Sequence, residues 1–145
     1  MGKRPIVLCV DDQVANLRIR TMLLEQFGCE AIGVEDQQSA LEVVSGRDID
    51  LVVIDYHLAY GENGEDLARD VRGLRPNVKL IMLTGDNKLP DSARTCVDAV
   101  LIKGTSNPTM LLDLIESLVP GTELRPRHPM LVGDSARQSD KKKVS

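Results

Sequence analysis

The chain alternates short apolar runs with longer stretches in which apolar residues recur every three or four positions. Four runs are almost continuous in Val, Leu and Ile, and they lie at residues 6–10, 51–54, 78–83 and 99–102. Strands that are buried on both faces of a parallel sheet have this composition. A fifth run, at residues 29–34, is more mixed, as is typical of an edge strand. The pattern therefore predicts five strands.

The stretches between the runs predict helices. The first carries an apolar stripe with a spacing of four residues, formed by Ile19, Leu23 and Phe27 and ended by Gly28. Shorter stripes follow near residues 40–44 and 67–74. The last helix, near residues 111–118, is preceded by Asn107 and Pro108, which suit the N-cap and the first helical position. The stretch from 86 to 97 is a poorer helix, with little apolar content.

A strand followed by a helix is thus repeated five times. Such a repeat requires a parallel sheet with right-handed crossovers and helices on both faces. In a chain of 145 residues, it favours a doubly wound α/β fold of the flavodoxin-like kind, with strand order 2-1-3-4-5. We predict one domain over residues 1–119.

Beyond residue 119 the pattern ends, and Pro, Gly, Ser, Arg and Lys dominate. We predict a flexible C-terminal tail over residues 120–145. Its apolar residues 130–132 leave open the alternative that the tail docks on a surface groove.

Charge and composition narrow the function. The net charge is −4, and residues 121–145 hold six basic and three acidic side chains, which leaves 12 basic and 19 acidic ones before them. This acidity argues against nucleic acid as a partner. Neither a secretory signal nor a membrane-spanning run is visible, so we expect a cytoplasmic protein without membrane contact. Cys9, Cys29 and Cys96 lack metal-ligand spacing and are expected to be reduced thiols.

Polar residues interrupt the apolar runs at the carboxyl ends of the predicted strands. Asp11 and Asp12 follow strand one, Asp55 follows strand three, Thr84 follows strand four and Lys103 follows strand five. Any one of them could be an ordinary turn or capping residue. Strand order 2-1-3-4-5 brings all of these ends to one crevice. Three carboxylates would therefore converge there with an ammonium group and a hydroxyl.

Three carboxylates in one cleft repel each other unless a cation lies between them or their pKa values rise. A hard divalent ion with oxygen ligands relieves this repulsion, and Mg²⁺ is the natural candidate. The ion would leave Asp55 free to attack a phosphoryl group as a nucleophile. Lys103 would supply positive charge to the phosphoryl oxygens, and Thr84 a hydrogen-bond donor.

In these features the sequence resembles the bacterial two-component response-regulator receiver family, of the stand-alone chemotaxis-regulator kind. The resemblance covers residues 5–119, and its motifs are IVLCVDD at 6–12, LVVID at 51–55, IMLTG at 81–85 and VLIK at 100–103. It implies that Asp55 is the phosphoacceptor. It also implies that Asp12, Asp55 and the backbone carbonyl of His57 hold Mg²⁺, which Asp11 reaches through water.

The resemblance assigns roles to further residues. Thr84 and Lys103 would contact the phosphoryl group. His57 and Asp86 each lie two residues beyond a site residue, at positions that flank the path of attacking water in this family. They are therefore expected to tune the lifetime of the phosphorylated state.

Several positions depart from the family pattern. Gly104 replaces the Pro that usually follows the Lys, and Val100 stands where a switch aromatic is usual. From Thr84 to Lys103 is nineteen residues, a few short of the common spacing. The loop after Asp55 contains Gly61 and Gly64, which are expected to make it easy to reorder.

Three functions are compatible with these observations. The first is a phosphorylation-operated switch that accepts a phosphoryl group from a histidine kinase or phosphotransfer protein and signals to a partner protein. It would not be an enzyme beyond its own phosphorylation and dephosphorylation. The second is a receiver-like binding module that is never phosphorylated. The third is a Mg²⁺-dependent aspartyl phosphatase, which would require an Asp-x-Asp pair after the first strand, whereas Asp55 follows the third and His57 occupies the acid position.

Overall fold

A computed structural model describes residues 4–85, 89–104 and 107–126. Five strands alternate with five helices in this part of the chain. The strands are β1 (Ile6–Val10), β2 (Glu30–Val34), β3 (Leu51–Asp55), β4 (Lys79–Thr84) and β5 (Ala99–Ile102). The helices are α1 (Val14–Gln26), α2 (Gln37–Gly46), α3 (Gly64–Leu74), α4 (Asp91–Thr95) and α5 (Pro108–Leu118). A short 3-10 turn, Ala59–Gly61, lies between β3 and α3.

The five strands form one parallel sheet in the order β2-β1-β3-β4-β5. This confirms the predicted fold class and strand order. The central strand β3 is buried at every position, and β1 and β4 are buried at all but their first residue, whereas the edge strand β2 is only partly buried. Three near-continuous apolar runs therefore marked the covered strands β1, β3 and β4, and the mixed run marked the edge strand β2. The fourth such run forms β5, which is the other edge strand and is only partly buried, so the burial expected for it on both faces was wrong.

Apolar side chains fill a separate core on each face of the sheet. On one face, residues of α2, α3 and α4 pack against Leu8, Val52 and Leu80. On the other, residues of α1 and α5 pack against Val7 and Val53. With both faces covered, the carboxyl-end edge of the sheet is left to carry polar chemistry.

The buried face of α1 differs from the predicted stripe. Leu17 and Leu24 are the buried residues of this helix, while Ile19 is 69% exposed. Leu23 and Phe27 are only partly buried. Ile19 and Leu23 instead line an open groove between α1 and α5. The apolar stripe was therefore assigned to the wrong face of the helix.

Helix ends follow the local sequence signals. Gly28 adopts a φ of +101° just after α1, a conformation that glycine reaches without steric cost. The Asn107 side chain accepts a hydrogen bond from the N–H of Met110, and Pro108 opens α5. Helix α4 has only five residues and lies within the stretch 86–97, which the sequence indicated to be a poorer helix.

After α5 the chain packs against the C-terminal end of α1. Thr122 is buried, and Leu124 packs against the core between α1 and α5. The N–H of Arg125 donates to the carbonyl of Phe27 at 3.2 Å. Residues 130–132, for which docking was left open, lie outside the described residues. No helix in the described ranges combines the length and apolar character needed to cross a membrane.

Candidate functional site

Asp11 lies directly after β1 and is fully buried. Its carboxylate is held at both oxygens. Oδ1 accepts the backbone N–H of Gln13 at 2.9 Å, and Oδ2 accepts Nη1 of Arg20 at 3.3 Å. The Nζ atom of Lys103 lies 4.0 Å from the same Oδ2. A buried carboxylate needs such partners because burial removes its hydration.

Asp55 is the last residue of β3 and is 4% exposed. Its Oδ1 accepts the backbone N–H of His57 at 3.2 Å. Its Oδ2 accepts a charge-assisted hydrogen bond from Nζ of Lys103 at 2.5 Å. Lys103 follows β5, so its side chain reaches across the end of β4 to meet Asp55.

Asp12 completes a cluster of three carboxylates. Asp11, Asp12 and Asp55 each offer an oxygen, and these three oxygens lie within 4.8 Å of one another. Asp12 is partly exposed while the other two are buried. Hard oxygen donors grouped in this way are the ligands that Mg²⁺ prefers in proteins. The chemistry of the donor set therefore fits the predicted metal.

Burial raises the pKa of Asp55 above its ordinary value of 3.8. The charge of Asp11 acts in the same direction, while the hydrogen bond and charge of Lys103 and the N–H of His57 oppose it. Burial thus disfavours the ionised form of the Asp55 carboxyl group, and additional positive charge in the pocket would favour that form.

Thr84 is the final residue of β4 and is 2% exposed. Its neighbour Leu83 pairs with Asp55 in the sheet, and its own partner in β5 is Ile102. The carbonyl of Thr84 accepts the N–H of Lys103 at 2.8 Å. Thr84 and Lys103 are therefore neighbours at the carboxyl ends of β4 and β5, the same end of the sheet as the carboxylates.

His57 lies in the loop after Asp55 and is exposed. Its ring packs edge-on against Tyr56, with ring centroids 4.9 Å apart. This position is compatible with access to solvent near Asp55. Asp86, the other residue predicted to tune phosphoryl lifetime, lies outside the described residues.

Gly64 approaches Asp55 more closely than a side chain would allow. A Cβ atom at this position would lie 2.7 Å from the Asp55 carbonyl oxygen and 2.8 Å from the sulfur of Met82. Gly64 is buried at the start of α3, and its N–H donates to the carbonyl of Tyr56 at 2.7 Å. The interpretation of Gly64 as a source of loop freedom was therefore wrong, because this glycine permits tight packing behind Asp55.

The backbone conformation of Gly104 is one that proline cannot adopt. Its φ is +83°, whereas the proline ring fixes φ near −65°. Glycine reaches this left-handed conformation without a steric cost. The replacement of proline by Gly104 therefore changes the geometry of the loop after Lys103, while the Lys103 side chain still contacts Asp55.

The sequence interpretation missed Arg20. Leu17, Arg20 and Leu24 are spaced three and four residues apart, so they share one face of α1. The side chain of Arg20 is only 14% exposed. A basic residue flanked at helical spacing by two buried leucines was the available signal.

The three cysteines are not members of the carboxylate cluster. All three are free, and Cys9 and Cys29 are buried. Burial raises the pKa of Cys9 to about 12 and that of Cys29 to about 11. They are thus protonated thiols at neutral pH.

Residues 7–110 match the model of the response regulator receiver domain. The matched segment contains every residue of the carboxylate cluster together with Thr84 and Lys103. This chain belongs to the response regulator receiver family. It is a receiver domain of two-component systems, a family of phosphoacceptor domains.

Several curated proteins resemble this receiver. The photosynthetic apparatus regulatory protein RegA of Rhodovulum sulfidophilum is 29% identical over 132 residues, which are 89% of this chain and 69% of RegA. The aerobic respiration control protein ArcA of Escherichia coli K12 is 34% identical over 86 residues, 59% of this chain and 35% of ArcA. Sensor protein GacS of Pseudomonas syringae pv. syringae is 26% identical over 88% of this chain. The receiver spans only 14% of GacS.

Solved structures share the fold over most of the receiver. A CheY-like receiver domain from Methylobacillus flagellatus is 27% identical with a TM-score of 0.73, over 80% of this chain and 99% of that one. A second, from Methanospirillum hungatei JF-1, is 29% identical with the same TM-score, over 80% and 94% of the two chains. TrrA of Thermotoga maritima, solved with Mg²⁺ and BeF, has a TM-score of 0.73 at 23% identity over 79% and 99%, and this likeness concerns the fold.

Proposed function

We propose that this receiver accepts a phosphoryl group from a histidine kinase or phosphotransfer protein onto Asp55, in a reaction that requires Mg²⁺. One observation carries the proposal. Asp55 shares a pocket with two further carboxylates, and its own oxygen is held by Lys103. A nucleophilic carboxylate, a set of oxygen donors and a fixed positive charge are the groups that phosphoryl transfer needs.

The residues would divide the work as follows. Asp12, Asp55 and the carbonyl of His57 would hold Mg²⁺, with Asp11 reaching it through water. The bound ion would screen the negative charge of the phosphoryl group and its donor. A carboxylate oxygen of Asp55 would form a bond to phosphorus as the bond between phosphorus and the donor breaks. The product is an acyl phosphate on Asp55 and a free donor.

Lys103 and Thr84 would stabilise the phosphoryl oxygens. Lys103 already contacts Oδ2 of Asp55, so its ammonium group lies where negative charge would accumulate. A positioned positive charge that need not reorganise during the reaction lowers the barrier most effectively. Thr84, beside Lys103 at the end of β4, would supply a hydroxyl donor.

Similarity to sensor kinases supports the proposed phosphoryl donor. GacS and LuxN of Vibrio harveyi, named a sensor protein and an autoinducer 1 sensor kinase/phosphatase, contain segments similar to this receiver. Their similarity supports a histidine kinase as the phosphoryl source. The signal would then pass to a downstream protein in the cytoplasm. Neither nucleic acid nor membrane is proposed as a partner.

Labelling with acetyl phosphate tests the proposal without a known kinase. The wild-type receiver should gain one phosphoryl group in Mg²⁺ and none in excess chelator. Asp12→Ala should lose most of the labelling, while Asp113→Ala, which removes an exposed carboxylate on α5, should keep it. A folded wild type that gains no phosphoryl group would favour the alternative of an unphosphorylated binding module. Steady release of phosphate from an aryl phosphate would instead favour the phosphatase.

A further inference from the structure

Asp11 lies close to two basic side chains, one on α1 and one just after β5. Arg20, on α1, places Nη1 3.3 Å from Oδ2 of Asp11, and Lys103, after β5, places Nζ 4.0 Å from the same oxygen. Asp11 is fully buried, and the Arg20 side chain is 14% exposed. The pair is thus shielded from solvent far more than an ordinary surface ion pair.

Arg20 lies on the packed face of its helix. Arg20 lies between Leu17 and Leu24 on the face of α1 that packs against the sheet. A guanidinium group on a packed face is costly to bury unless a carboxylate receives it. Arg18, two residues earlier on the same helix, is exposed. The two arginines carry the same charge, but only Arg20 meets the carboxylate cluster.

The charge balance of the pocket depends on Arg20. Asp11, Asp12 and Asp55 together carry three negative charges when ionised, and Lys103 offsets one of them. Arg20 offsets a second, so the pocket is left with a net charge of about −1 rather than about −2. Attraction for a divalent cation weakens accordingly.

We propose that Arg20 is a resident counter-cation that holds Asp11 and lowers the affinity of the pocket for Mg²⁺. The inference rests on the proposed function, since it concerns the same metal. Arg20 and Lys103 both lie close to Oδ2 of Asp11, so a metal ion, or a water molecule bound to it, that uses this oxygen shares it with two positive groups. Occupancy by Mg²⁺ therefore responds to Mg²⁺ concentration over a higher range than the three carboxylates alone would give.

Calorimetric titration with Mg²⁺ alone tests this proposal. Arg20→Gln should bind Mg²⁺ on the order of tenfold more tightly than wild type, because one unit charge is removed beside the ligand carboxylates. Arg18→Gln removes the same charge from the exposed face and should stay within about twofold. Arg20→Lys keeps the charge and should stay near wild type. Equal affinities of Arg20→Gln and Arg18→Gln, or weaker binding by Arg20→Gln, would overturn the proposal.

A second pair of variants tests the role of Arg20 even if Arg20→Gln alone fails to fold. Arg20→Gln leaves Asp11 as a buried charge with fewer partners, which destabilises the metal-free protein. Asp11→Asn combined with Arg20→Gln removes both members of the pair, and it should bind Mg²⁺ more tightly than Asp11→Asn alone. Equal binding by these two would count against the role of Arg20.

The titration also separates this inference from the proposed function. If wild type binds Mg²⁺ and is labelled on Asp55 while Arg20→Gln and Arg18→Gln bind Mg²⁺ alike, only the role of Arg20 fails. If wild type binds no Mg²⁺ at millimolar concentrations, the proposed function and this inference fail together.

Discussion

Lys103 Nζ lies 2.5 Å from Oδ2 of Asp55, although β3, which ends at Asp55, and β5, which Lys103 follows, are not neighbours in the sheet. The Lys103 side chain crosses the end of β4 to make this contact. The Lys103 side chain is one-third exposed while that of Asp55 is almost fully buried. The ammonium group therefore pairs with the candidate nucleophile from the more exposed side chain of the two.

Removing Lys103 should slow phosphorylation. Lys103→Met is expected to reduce the rate of labelling by acetyl phosphate at least about tenfold, which corresponds to about 1.4 kcal/mol of barrier. Lys79→Met is the matched control, because Lys79 is the first residue of β4 and lies at the amino ends of the strands, away from the carboxylate cluster. Initial rates from intact-mass spectra give the comparison. Equal slowing in both variants would mean that Lys103 acts only through general charge.

Substitution of Gly64 by alanine should destabilise the domain, because the added Cβ would lie too close to the backbone of Asp55. The Cβ atom of Gly64→Ala would lie under 3.0 Å from the Asp55 carbonyl and from atoms of Ile54 and Met82. Overpacking of this kind costs about 1–3 kcal/mol in the free energy of unfolding. Gly73→Ala, also in α3 but in open space, should be neutral or stabilise by up to about 1 kcal/mol. Urea denaturation measures both, and a neutral Gly64→Ala would disprove the close packing.

The buried thiols should resist alkylation in the native state. Raised pKa values of about 12 for Cys9 and about 11 for Cys29 leave little thiolate at pH 8. Iodoacetamide should therefore modify the partly exposed Cys96 first, and all three should react in urea. The same shifts predict that stability falls as pH rises above 9, since the unfolded thiols ionise there while the folded ones keep their protons. Rapid native alkylation of Cys29 would contradict its burial.

His57 and Asp86 should set the lifetime of the phosphorylated state. Hydrolysis of an acyl phosphate requires a water molecule in line with the leaving carboxylate, and His57 lies exposed in the loop after Asp55. His57→Ala and Asp86→Ala are expected to change the dephosphorylation rate by more than about twofold, or ~0.4 kcal/mol. Asp113→Ala is the control. Rates within twofold for both variants would remove this role.

The sequence predicted the sheet well because burial on both faces leaves a simple compositional trace. The strand runs and the order followed from it, and so did the gathering of Asp11, Asp55 and Lys103 at one edge. Helix α1 was harder, since Ile19 and Leu23 border an open groove and periodicity alone does not say which face meets the sheet. Arg20 was missed for the same reason. The packing of Gly64 depends on a contact between two elements, which no local pattern records.

The central claim is that Asp55 carries the phosphoryl group, and reductive trapping tests it most directly. Borohydride converts an aspartyl phosphate to homoserine, which peptide mass spectrometry can place in the sequence. After acetyl phosphate and Mg²⁺, we predict homoserine at position 55 alone, and none in excess chelator or in Asp55→Asn. Homoserine at another aspartate, or undiminished phosphoryl incorporation in Asp55→Asn, would contradict the proposed function.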